Sequence, residues 1–293
     1  MIGTARATAA VTIVNALPTG VGCALGIDLG VDARVALRRV PDGAAPVVRL
    51  SRGADTPIVR ETLRLAIDRF ADGGPWSAAV ELRSEIPPSR GLKSSSAVAS
   101  ALALATARAA GKEPPALEVA RLAAGAGRTS GVSATGAMDD ALAGLAPGFC
   151  LTDNRTDRLL RGEPVPDDWK VALFVPGRRH RPSPEWALAF AAHAVEGARA
   201  VDAAREGRWW DAMRLNSELV ETTMGYDYAD ARAALVAQGA LGSGVSGLGP
   251  ALAAIGPADR ADAFFGALPH GPGERRLVAV TAARRTPPAR GAP

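Results

Sequence analysis

Three stretches of this chain carry residue types that can do chemistry in the company they keep. The first runs from Glu85 to Ala110, EIPPSRGLKSSSAVASALALATARAA. Pro87, Pro88, Ser89, Arg90 and Gly91 form an approach, Leu92 and Lys93 follow, and Ser94-Ser95-Ser96 opens an Ala/Leu-rich run of high helix propensity. Serines directly before a helix are natural N-caps. A loop that feeds amides into a helix N-terminus is an anion site, because unpaired N–H groups and the helix dipole point the same way. Gly91 lets backbone approach a ligand, Lys93 adds a cation, and a serine hydroxyl can reach a magnesium ion. These are the parts of a nucleotide-phosphate loop, and equally of a well-capped core helix with a serine-rich start; the residues alone leave both open. It is not a Walker A loop, which needs Gly and Lys adjacent before Ser/Thr, and Leu92 separates them here.

The second stretch, Thr135-Gly136-Ala137-Met138-Asp139-Asp140, places two acids at the end of a glycine-rich segment. They can supply a general base and hold a metal, or one of them can simply cap the helix that follows. The third, Gly242-Ser243-Gly244-Val245-Ser246-Gly247, matches G-x-G-x-x-G literally. The dinucleotide fingerprint needs a strand before its first glycine, whereas Tyr228 to Gln238 reads as helix, so the Rossmann reading is rejected.

The elements that must position these stretches follow from periodicity. Thr8–Val14 and Ala24–Leu29 read as strands around a turn-rich NALPTGVG loop, and Val31–Leu37 as a half-exposed strand. Pro57–Phe70 has helical spacing with Thr56 as N-cap, and Ala78–Ser84 alternates as a strand leading into the phosphate loop. Strand, loop and buried helix make a frame for phosphate. Further on, Leu117–Gly125 reads as helix, Phe149–Thr152 and Trp169–Val175 as strands, and Pro176–Pro182 as a basic loop. Helices are expected over Pro184–Arg205, Trp209–Thr222 and Tyr228–Gln238, then a glycine-rich loop over Gly242–Gly249 and a last strand over Arg276–Ala282. Strands mixed with helices without regular alternation predict α+β. A polar shift near Thr152 to Gly162 puts a domain boundary there, giving units 1–155 and 156–293.

The chain's 293 residues, 47% hydrophobic and 22% charged, suffice for one large or two modest cores and exclude wholesale disorder. A net charge of +4 comes from interspersed residues and not from a basic block, so nucleic acid is not expected as a partner. Two cysteines, Cys23 and Cys150, lack metal-type spacing and are expected as small buried residues. The uncharged run Ala7–Ile27 is broken by Asn15, Pro18, Gly20 and Gly22 and lacks the compact apolar region of a signal peptide. A soluble, cytoplasmic protein without a membrane span is expected.

The run from Pro87 to Ser96 resembles the phosphate loop of the GHMP kinases, GVSGLGPA near the C-terminus resembles their third motif, and Asp139 matches a catalytic aspartate of mevalonate-kinase-like members. Within that superfamily the chain is most similar to the archaeal-type shikimate kinases. That likeness rests on ARATAAVTIVNALPTGVGCALGIDL, SEIPPSRGLKSSSA, TGAMDDALAG and FCLTDNR. It implies a two-domain fold, an N-terminal ribosomal-protein-S5-like domain and a C-terminal ferredoxin-like one, and ATP-dependent phosphorylation of the 3-hydroxyl of shikimate. It further implies that Pro88, Ser89, Arg90, Gly91, Leu92, Lys93, Ser94, Ser95, Ser96 and Ala97 hold ATP. Ser95 or Ser96 would face Mg2+ and Asp139 the hydroxyl. Asn15, Thr19, Gly20, Gly22, Thr135, Gly136, Ser246 and Gly247 would line the substrate pocket, and Arg155, Arg178 or Arg179 would meet the substrate carboxylate. Relatives are often dimers, which leaves a homodimer open.

One departure stands out. Relatives tend to carry R-E-A-G-V where this chain has Arg128-Thr129-Ser130-Gly131-Val132, so Thr129 replaces an acid expected near magnesium. Two other readings therefore stay open: the same chemistry on homoserine or a mevalonate-type acid, and a catalytically silent ligand-binding regulator of the same fold.

Overall fold

The computed structural model describes residues 1–41, 45–177 and 184–281. Two antiparallel-dominated sheets and nine α-helices make a mixed α+β architecture among the described residues. In the first sheet, β1 (Ile2–Val14) pairs along most of β2 (Val21–Arg39). On its other edge β2 pairs first with β5 (Phe149–Asp153) and then with β4 (Trp76–Ser84). β3 (Val48–Arg52) lies outside β4 and β6 (Arg158–Glu163) outside β5, so β1, β3 and β6 are the edge strands. The two short strands expected over 24–29 and 31–37 are one long strand. The sequence looked broken because the register against β1 shifts between Thr8 and Ala9, just where Gly30 lies beneath the Arg6 guanidinium. The uncharged run Ala7–Ile27 is the buried heart of this sheet, and no helix among the described residues is long and apolar enough to cross a membrane.

α2 (Ser94–Ala109) and the short α4 (Met138–Ala143) pack on one face of this sheet, and α1 (Pro57–Phe70) and α3 (Ala116–Thr129) pack on α2. α2 is apolar nearly all round, as a helix enclosed on all sides must be. Its small side chains let β1 approach so closely that a methyl on Gly3 would meet Ala105 O at 2.1 Å.

The second sheet has the order β10 (Gly273–Ala279), β7 (Lys170–Pro176), β9 (Leu252–Gly256), β8 (Gly242–Val245). Its helices are α5 (Pro184–Ala191), α6 (Ala194–Arg205), α7 (Trp209–Met224), α8 (Ala229–Ala237) and α9 (Ala261–Gly266). The helix expected over 184–205 is thus two, broken at Ala192 and His193. The expected loop over 242–249 begins as a strand, and only Ser246–Gly249 is loop. Residues 242–245 read as loop because glycine and serine weaken strand propensity, yet β8 is buried throughout and paired to β9. Both cysteines are free and buried.

Candidate active site

The phosphate loop leaves β4 at Ser84 and turns into α2 through three left-handed residues, Ser89 at φ 59°, Gly91 at φ 84° and Lys93 at φ 61°. The helix begins at Ser94 with Lys93 as its N-cap, and no side chain caps it. The three serines therefore occupy the first turn and do not cap it, which leaves the first-turn amides of α2 without a side-chain acceptor. A second helix start faces the same space. α4 is entered through Ala137 at φ 53°, again with no capping side chain, so Asp139 and Asp140 are first-turn residues and not caps.

Between these two helix starts lies a cleft of about 730 Å³. It gathers Asn15, Lys93, Ser95, Ser96, Thr135, Asp139, Asp140 and Gly247, which are distant in sequence. The remaining residues expected at the site take other positions. Ser246 is fully buried: its hydroxyl donates to Gly91 O at 2.8 Å and accepts from Thr12 N at 3.2 Å, locking the C-terminal loop to the phosphate loop. Gly91 has no room for a side chain, since a methyl there would meet Ser246 O at 2.1 Å. Gly22 backs the acid itself, with Asp139 Oδ2 at 2.6 Å from where its Cβ would stand. Thr19 turns its hydroxyl onto Val21. Arg155 lies across Gly20 at the surface with 70% of its side chain exposed. Pro88 to Leu92, Ala97 and Gly136 support the cleft without lining it, and Arg178 and Arg179 lie outside the described residues.

The electrostatics centre on the two acids. Asp140 Oδ2 pairs with Lys93 Nζ at 3.1 Å, and its Oδ1 is buried without a hydrogen-bond partner. Asp139 accepts a hydrogen bond on Oδ1 from Asn154 Nδ2 at 2.8 Å. Thr152 fixes the orientation of that amide by donating its hydroxyl to Asn154 Oδ1 at 2.6 Å. Burial, followed by the charge of Asp140, pushes the Asp139 carboxyl up to about 7, against the opposing pull of Lys93 and Asn154. Burial raises Asp140 as well, with Lys93 opposing. A carboxyl poised near neutrality inside a cleft suits general-base work.

Sequence reasoning missed several contributors. Arg128, Val132, Ser133, Ala134 and Trp186 line the cleft, and Asn154 orients the acid. Two signals were available: the Arg128–Val132 string directly precedes the acidic motif, and Thr152-Asp153-Asn154 marked the family likeness without being read as a support. Thr129 sits on the last turn of α3, donates to Glu61 Oε1 at 2.9 Å, and is not among the cleft-lining residues.

A left-handed loop into a helix start, a buried aspartate facing it and a glycine-rich loop closing the back define a small-molecule kinase fold. Solved structures agree. The homoserine kinase from Cytophaga hutchinsonii superposes with a TM-score of 0.68 at 18% identity, covering 95% of each chain. The Methanococcus jannaschii mevalonate kinase gives 0.69 at 14%, covering 96% of this chain and 98% of its own. Residues 58–148 match the GHMP kinases N terminal domain. Curated relatives named shikimate kinase include that of Halobacterium salinarum, 36% identical over 88% of this chain and 90% of its own. That of Pyrococcus abyssi is also 36% identical, over 87% and 92%. The chain belongs to the GHMP kinases, in the family of archaeal-type shikimate kinases.

Proposed function

We infer that this protein transfers the γ-phosphoryl group of ATP to the 3-hydroxyl of shikimate. The likeness to shikimate kinases over most of both chains carries the substrate, and the Asp139–Asn154–Thr152 chain facing the α2 N-terminus carries the chemistry. In this reading the substrate hydroxyl approaches Asp139, which orients it and takes its proton as the oxygen attacks phosphorus. The first-turn amides of α2, with Lys93, meet the phosphate oxygens, where charge in phosphoryl transfer is stabilised mainly by position and electrostatics.

A magnesium ion fits the donors present. Ser95 and Ser96 offer hydroxyls on the cleft, and the partnerless buried oxygen of Asp140 keeps that space electronegative. No cluster of three or more His, Cys, Asp or Glu side chains exists among the described residues. That matches a cation which commonly relies on few protein ligands plus phosphates and water. We assign Ser95 and Ser96 to hold it; when bound, it neutralises charge on the phosphates. The same reading keeps an N-terminal ATP-binding and catalytic unit and a C-terminal second unit, with the boundary moved from residue 155 to beyond β6. The first sheet's hydrogen bonding runs on to Glu163.

The test is ADP release from Mg-ATP by the purified protein with shikimate, homoserine and mevalonate in parallel. Turnover on shikimate alone is expected. Turnover on another alcohol instead would discard the substrate and keep the mechanism, and ATP binding without turnover on any would identify a silent regulator.

A further inference from the structure

We propose that Arg128 binds the carboxylate of the substrate and thereby sets acid specificity, in place of the exposed Arg155. This inference rests on the shikimate reading above. Among the described residues that line the cleft there are two cations, Lys93 and Arg128. Lys93 belongs to the phosphate loop and is held by Asp140 at 3.1 Å. Arg128 stands beside the loop that delivers Asp139, bonded to Thr135 O. Arg155 pairs loosely with Asp153 at 3.7 Å from a largely exposed position.

The guanidinium of Arg128 is held in a fixed plane. Its Nη1 and Nη2 meet Asp157 Oδ1 at 3.0 Å and Oδ2 at 2.5 Å, an end-on fork. Nη1 also reaches Asn154 O at 3.3 Å and Thr135 O at 3.4 Å. Gly136 makes room for this: a methyl there would stand 2.3 Å from Nη1. A guanidinium carries five N–H donors. The side edge, Nε–H with the second hydrogen of Nη2, has no partner among the described residues, and a carboxylate pairs with such an edge bidentately. Arg128 and Asp139 are also linked through one residue, since Asn154 gives its carbonyl to Arg128 and its side-chain amide to Asp139. In shikimate the carboxylate and the 3-hydroxyl are borne on ring positions separated by a single carbon, so one compact molecule can reach both groups.

The experiment compares shikimate with its methyl ester in the wild type, Arg128→Gln and Arg128→Lys, with the melting temperature and the KM for ATP measured on each. Arg128→Gln is expected to lower kcat/KM on shikimate about tenfold to a hundredfold, as loss of a charge-assisted pair does, through KM for shikimate and with KM for ATP unchanged. The wild type should lose a similar factor on the ester, and Arg128→Gln should lose little more there. Arg128→Lys, which keeps the charge without the fork, should fall between. Equal losses on acid and ester would overturn the proposal and make Arg128 a positioning residue acting through Thr135 and Asn154. If the wild type phosphorylates homoserine or mevalonate but not shikimate, the functional reading fails first and this inference falls with it.

Discussion

At the scale of single residues, the site turns on one buried carboxyl. Replacing Asp139 by Asn is expected to lower kcat about 10²–10⁴-fold, the usual worth of a positioned acid/base group, measured by coupled ADP release. Because Asp139 is raised from 3.8 to about 7, the working carboxylate form is lost as pH falls through about 7. The acid limb of kcat/KM should lie there. Asn154 donates to the carboxylate and so lowers its pKa; Asn154→Ala should move that limb to higher pH, and an unmoved limb would remove Asn154 from the role assigned. The same shift has a stability consequence in the metal-free protein. A carboxyl raised on folding binds its proton more tightly in the native state, so its contribution is fully present below pH 3.8 and is lost as pH rises through about 7. Asp139→Asn should therefore raise the melting temperature more at pH 8 than at pH 5.

At the scale of elements, glycines decide how closely loops meet. Gly22→Ala would drive a methyl into the Asp139 carboxylate, and a displacement of that size at the reacting group is expected to cost about 10²-fold in kcat with the fold retained by circular dichroism. The exchange of acid for Thr129 becomes intelligible here as well. Thr129 donates to Glu61, whose carboxylate also binds Arg64 and lies below the ordinary glutamate value chiefly through that arginine. Restoring an acid by Thr129→Glu would set two carboxylates against each other at the α1–α3 contact. The expected outcome is a lower melting temperature and an unchanged magnesium requirement, read by titrating the cation in the ADP assay; a tighter requirement would place Thr129 at the metal after all.

At the scale of the whole molecule, the site exists because the two sheets share loops. Thr12 accepts from Gly247 N at 2.9 Å, Asn15 N donates to Asn216 Oδ1 at 2.7 Å, and Ser246 bonds Gly91. Behind these sits a buried pair, Arg232 Nε to Glu221 Oε1 at 2.6 Å, with Ser217 joining Glu221 and accepting from Val245 N at the end of β8. Glu221→Ala leaves the arginine buried and unpaired, a change that costs about 3–5 kcal/mol in comparable sites. Urea denaturation should register it, and KM for ATP should rise too because β8 carries the closing loop.

The sequence by itself determined the parts that are local. The proline-glycine-serine run marked a helix start, the acidic pair followed a glycine-rich lead-in, and alternation and helical spacing located most strands and helices, all through short-range sterics and propensity. Tertiary structure alone decided the rest. Arg128 and Asn154 are held at the site by contacts 15 to 29 residues apart in sequence, and Trp186 joins the cleft from the second half of the chain; neither leaves a periodic trace. Gly22 and Gly91 are explained only by the atoms facing them, Asp139 Oδ2 and Ser246 O. The pKa of Asp139 likewise has no meaning in the sequence, because burial and the Lys93–Asp140 pair that set it come into being when the chain folds.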